Sequence, residues 1–246
     1  MDKFAVEAAL GVLANNMRLY VEAQARFAGL FKIDREEAIS NVDRAFEAKL
    51  EALHTLYDIS QRYFPWFEFG DTSVLIALRN AIHHRNHPLF RSLNLELWLS
   101  PGPERWVGAA FLLAKHRVKG EPRGMMEQFY RLEDFRSRLD PDLSSPYLDT
   151  FLNEIKARQR YNQVAGHLSF AKIHETGLRE RFPPNQIYVD IIPVFVSAVC
   201  RIFKALHAEG IEFKGFDAAV YQAAFTTEIQ VDLNALVYRT PRLHRL

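Results

Sequence analysis

Apolar residues recur every three or four positions from Phe4 to Phe31, with Val6, Leu10, Leu13, Met17 and Tyr20 on one side. That spacing predicts a long amphipathic helix. A second helix is expected from Asp34, where Asp34 and Glu37 have capping-box spacing, through Phe46, Leu50, Leu53 and Tyr57 to about Tyr63. Pro65 and Gly70 in YFPWFEFG break it. The aromatics there, Phe64, Trp66, Phe67 and Phe69, either close one end of the core or anchor a second copy of the chain. A third helix is expected after Asp71, read as its N-cap, and must stop by Pro88.

The period then changes. Leu93, Leu95, Leu97 and Leu99 alternate with Asn94, Glu96 and Trp98, which reads as a strand; SPGPE is a turn, and RWVGAAFLLAKHRV returns. A β-hairpin is the expectation, with a buried helix over GAAFLLA as its competitor. Helices are expected again over about Met125 to Arg138, Tyr147 to Gly166, Pro193 to Ala208 and Phe216 to Phe225. DPDLSSP, Asp140 to Pro146, is the best linker candidate. It divides residues 1–139, with the first helices and the hairpin, from a helical region at 147–246 that is either a second domain or part of the first.

Composition narrows the class. The 246 residues are 48 % hydrophobic, enough for a sizeable core. The one cysteine, Cys200, leaves no disulfide framework and no cysteine-rich zinc module, which fits a reducing, cytoplasmic setting. Glu7 interrupts the first apolar run, so no secretory signal is read there, and the apolar run from Ile191 to Cys200 is about half a membrane span. No membrane partner is expected. With 31 basic and 30 acidic residues, net charge +1, a general coating by nucleic acid is also not expected. Local patches remain, among them the tail with Arg239, Arg242, His244 and Arg245.

The densest chemistry is LRNAIHHRNHPLF, Leu78 to Phe90, on the third helix. At about 100° per residue, Val74, Leu78, Ile82, Leu75 and Ala81 fall within one apolar stripe. Arg79, Asn80, His83, His84 and His87 fall on the other side, with Asn80 and His84 one turn apart. Three readings compete. The face is a solvated helix end, its histidines favoured by the helix dipole. Or it is a metal site using His83, His87 and His54, the last in a Glu-x-x-His pattern with Glu51. That pattern has no second copy, no carboxylate lies between Arg79 and Arg91, and two arginines there would repel a cation. Neither a metal nor another cofactor is therefore expected. The third reading is phosphate chemistry, with an arginine to clamp a phosphodiester and a histidine to move protons near neutral pH.

Arg79-Asn80-Ala81-Ile82-His83-His84 resembles the Arg-polar-x3-His motif of the HEPN superfamily. The resemblance implies an all-helical bundle, here with the hairpin as an insertion, and a metal-independent endoribonuclease whose motifs face each other across a homodimer. It also implies an RNA substrate, a defence or toxin–antitoxin setting, and a cognate antitoxin or other partner protein. Carried over by position, Arg79 binds the phosphate, Asn80 is the polar motif residue and His84 is the acid or base. His83 and His87 match no motif position and enter only as accessory residues of the polar face. A non-catalytic helical interaction or nucleotide-binding module is the alternative. The resemblance covers at most residues 1–91 and whichever later helix completes the bundle, and most of the chain follows the motif.

Overall fold

The computed structural model describes residues 3–84, 88–99, 102–119, 126–149 and 153–243, and of His84 the backbone alone. His87, His244 and Arg245 lie outside the described residues. In chain order the helices and strands are α1 (Lys3–Leu30), α2 (Arg35–Ser60), α3 (Gly70–His84), α4 (Leu93–Trp98), β1 (Leu112–Lys119) and β2 (Phe129–Arg131). They continue with α5 (Leu132–Leu139), α6 (Glu154–His167), α7 (Phe170–Arg179), β3 (Ile187–Asp190), α8 (Ile192–Ala208), α9 (Phe216–Ala223) and β4 (Gln230–Arg239). The described chain is mainly helical, and none of its helices is long and apolar enough to cross a membrane.

Two compact units interleave along the sequence. The first takes Met1–Trp66, Val118–Met126 and Val196–Gln230. Its base is the α1–α2 hairpin, whose helices form where expected because their apolar residues do keep a helical period, although α2 ends at Ser60, short of Tyr63. Asp34 caps α2, its carboxylate accepting from the Glu37 N–H at 2.9 Å. Leu10, Leu13, Ile39, Phe46 and Leu53 are buried between the helices, and Tyr20 meets Phe46 edge-on. The buried Lys49 ammonium lies 3.8 Å from the Tyr20 ring centre, a cation held by an aromatic face. α9 packs on α1, tied by Arg18 to Asp217 at 3.0 Å. Phe64 and Trp66 are buried in this unit, where the Trp66 indole donates to Ser60 Oγ. They are core residues, not dimer anchors.

The second unit takes Phe67–Arg117, Glu127–Phe195 and Val231–Leu246. It holds a four-stranded mixed sheet in the order β2-β3-β1-β4. β1 and β3 run parallel, Leu113 opposite Tyr188, and β2 is antiparallel to β3 with Phe129 opposite Asp190. One face buries Leu93, Trp106, Phe111, Leu113, Phe129 and Tyr188 together. α3 packs against α6 and α5. The Asp140–Pro146 segment, read above as a linker, lies wholly inside this unit.

The expected hairpin does not form. Residues 93–98 are helix α4, capped by Ser92, whose hydroxyl accepts from the Leu95 N–H at 3.2 Å. The alternation misled because Leu93 and Leu97 are also one helical turn apart, and both reach the same core cluster. Glu96, which a strand would have turned to solvent, is buried. β1 is a strand as expected, but its partners are β3 and β4. The helix expected from Met125 begins only at Leu132, after β2, and α6 begins at Glu154 behind an Asn153 cap. Asp71 is not the N-cap of α3. It sits in the first turn, fully buried, accepting from the Thr72 N–H, while the Gly70 N–H is held by His167 Nδ1 at 2.8 Å.

Candidate functional site

α3 is rooted deeply. From Asp71 to Leu78 every residue is buried, including Thr72, Ser73, Ile76 and Ala77, which lie outside the predicted apolar stripe. A glycine is required at its start: a Cβ on Gly70 would lie 2.7 Å from His167 Cβ and 3.0 Å from the Gln163 carbonyl. Only the last turns emerge. Ala81 stays buried, Ile82, Arg79 and Asn80 are half-buried, and His83 is exposed. Arg79 Nη1 donates to Asn80 Oδ1 at 3.2 Å, so the motif's cation and its polar residue are in direct contact. The helix carries His84 one turn beyond Asn80.

The chain beyond the motif is pinned by groups that the sequence did not single out. Phe90, buried and with a positive φ of 59°, donates its N–H to Asp134 Oδ2 at 2.8 Å. Its ring packs on Tyr130 and Phe135. Burial pushes the Asp134 carboxyl up to about 6, against the pull of the Phe90 N–H and of Arg131. Next door, Glu96 is clasped from both sides. Arg91 Nε lies 2.7 Å from Oε1 and Arg131 Nη2 lies 2.9 Å from Oε2. Arg131 Nε also donates to the Tyr188 hydroxyl at 3.3 Å. Two guanidinium groups explain how this carboxylate is tolerated under the surface.

A third polar group ends β3. Asp190 Oδ1 accepts from the N–H groups of Gln128 and Ile192, both at 3.0 Å, while Oδ2 is buried without a hydrogen-bond partner. Burial pushes this carboxyl up to about 7, opposed by those two N–H groups and by Lys115 and reinforced by Glu127. A protonated carboxyl is neutral, which is the form such a site accommodates. On β1, His116 is wholly buried with Nε2 on the Leu168 carbonyl at 3.0 Å, and burial lowers its pKa. Its proton therefore sits on Nε2.

Beside β2 an open cleft of about 150 Å³ has Leu93, Leu113 and Phe129 for apolar walls and Glu127, Arg239 and Asn94 among its polar ones. Arg239 Nη2 lies 2.6 Å from Glu127 Oε2. Arg239 was legible as part of a basic tail; its pairing with Glu127, 112 positions away, was not.

Among the described residues no group of three His, Cys, Asp or Glu side chains is arranged to hold a metal ion. His54, the proposed third ligand, lies in the first unit with Nδ1 3.3 Å from Asp58. No known family model matches the chain, and neither a curated protein nor a solved structure does.

Proposed function

We propose that the chain is a HEPN-like, metal-independent endoribonuclease that uses the emergent end of α3 as a homodimer. The observation that carries the reading is the 3.2 Å bond from Arg79 to Asn80 on the last turns of a helix whose first turns are packed on all sides. A guanidinium held by its neighbour on a rigid support is oriented before a phosphate arrives, and orientation in advance is what phosphate recognition and transition-state stabilisation need.

In this reading Arg79 clamps the scissile phosphodiester and Asn80 holds Arg79. The ribose 2′-oxygen attacks phosphorus, its proton passing to His84 or to the second copy's equivalent. The bond to the 5′-oxygen breaks, the other imidazole gives that oxygen a proton, and the products are a 2′,3′-cyclic phosphate and a 5′-hydroxyl. His83 and His87 are accessory residues of the same face. One motif copy offers a single imidazole, so a two-fold axis supplies the second. An antitoxin or other partner protein that covers this face belongs to the same proposal. The alternative, a nucleotide-binding module without turnover, is favoured by one observation of its own: the cleft beside β2, walled by residues outside the motif.

Incubating total RNA with purified protein in EDTA tests the reading. His84→Ala should cut the cleavage rate about 10²–10⁴-fold and Arg79→Ala at least about 10²-fold. Undiminished cleavage by His84→Ala removes the enzyme reading of that residue.

A further inference from the structure

The cleft beside β2 pairs a carboxylate with a guanidinium over an apolar wall. Glu127 and Arg239 sit side by side at 2.6 Å on its rim, and the Arg239 guanidinium is 5.8 Å from the centre of the Phe129 ring. Phe129, Leu93 and Leu113 form the apolar part, all of them buried. Asn94, with a carboxamide that both donates and accepts, completes the set used here. At about 150 Å³ the space is well below the ~300–1,000 Å³ of a typical small-molecule pocket. It has room for one flat ring system and leaves the rest of a ligand outside.

Among common flat heterocycles, guanine answers this layout best. A carboxylate needs two adjacent donors, and guanine supplies them in N1–H and the exocyclic N2 amine. An arginine needs an acceptor, and guanine supplies O6 beside N1–H on the same edge. An acid and a base already side by side therefore meet that edge without separating, the carboxylate at N1–H and N2 and the guanidinium at O6. Adenine, cytosine and uracil each lack the double donor for the carboxylate.

We propose that this cleft is a guanine-binding site, selective through Glu127 for N1–H and N2 and through Arg239 for the adjoining O6. Resting on the ribonuclease reading, it names the substrate class: single-stranded RNA with an unpaired guanosine near the scissile bond. Ser92, on the same cleft, is eight residues beyond His84, a span of at most about 28 Å even for extended chain. The cleft and the end of α3 are thus within reach of one short strand.

Calorimetric titration of the full chain with guanosine, inosine, adenosine, cytidine and uridine monophosphates tests the site itself. Guanosine monophosphate should bind at least about tenfold more tightly than the other four, inosine being penalised for its missing N2 amine. Glu127→Gln should abolish the preference and Arg239→Met should weaken guanosine and inosine alike. Inosine is a probe that needs no folded variant. A second arm uses single-stranded oligonucleotides with one guanosine or one inosine. Preference in the oligonucleotide alone marks RNA as the source, and preference in the free nucleotide with no effect in RNA marks a nucleotide-binding module. Guanosine preference without any RNA cleavage would remove the ribonuclease reading and leave the site standing. Equal binding of all five nucleotides, no binding of any nucleotide or oligonucleotide, or an unchanged guanosine preference in Glu127→Gln would overturn the site.

Discussion

Asp190 shows how much one carboxyl can govern. It joins the last residue of β3 to the N–H of Gln128, ahead of β2, and to the N–H of Ile192, the first residue of α8. Its pKa in the fold, about 7, lies above the 3.8 of an ordinary aspartate, so the folded chain binds a proton there that the unfolded chain has lost. Between those values folding takes up a proton, and stability from this group falls as pH rises; Asp134, at about 6, acts in the same direction over a narrower window. At about 1.4 kcal/mol per unit, the loss attached to Asp190 is on the order of 4 kcal/mol across the window. Asp190→Asn keeps an oxygen for both N–H groups and cannot ionise. Thermal melts at pH 5 and pH 8 should therefore show the variant gaining several degrees on the wild type at the higher pH. Equal pH dependence in the two proteins would mean that Asp190 does not titrate in this range. None of this was visible in the sequence, where Asp190 is one acidic residue before an apolar run.

At the scale of elements, legibility followed the range of the interactions that decide each one. α1, α2, α8 and α9 were readable because their period and caps are local: Asp34 reaches only three residues to Glu37. α4 was misread because its leucines satisfy both periods and because Glu96 is buried by Arg131, 35 positions away. The start of α3 was misplaced for the same reason: its first N–H is capped by His167, 97 residues downstream, and not by Asp71. That contact makes a prediction. Gly70→Ala should destabilise the chain by about 1–3 kcal/mol, since its Cβ collides with His167 Cβ and with backbone. His167→Ala loses the cap at about 1 kcal/mol but keeps the colliding carbon, so it should not rescue Gly70→Ala. His167→Gly removes that carbon and should rescue in part. Additive losses in the Gly70→Ala/His167→Gly double variant, measured by urea denaturation, would show that the close approach is not what fixes glycine there.

For the whole molecule, the sequence conveyed a mainly helical chain and drew attention to Arg79 and Asn80, which the fold brings into contact on an accessible turn. It did not convey that α3 belongs to a different compact unit from α1 and α2, nor that a mixed sheet is assembled from strands as distant as β1 and β4. Those are long-range pairings with only short local signals. The homodimer is a whole-molecule prediction: light scattering at working concentration should give twice the chain mass. Because Phe64 and Trp66 are core residues, substituting them should unfold the protein before it alters assembly. A monomer that still cleaves RNA would sink the two-copy site while leaving the motif's chemistry intact.

The ends left on RNA report the proposed chemistry more directly than any rate. Mass spectrometry of oligonucleotides cut in EDTA should find 2′,3′-cyclic phosphate and 5′-hydroxyl ends, formed about 10²–10⁴-fold more slowly by His84→Ala, and an oligonucleotide with 2′-deoxyribose at the cleaved position should stay whole. Ends bearing a 3′-hydroxyl, cutting at 2′-deoxyribose, or the same products at an undiminished rate from His84→Ala would contradict attack by the ribose 2′-oxygen at this site.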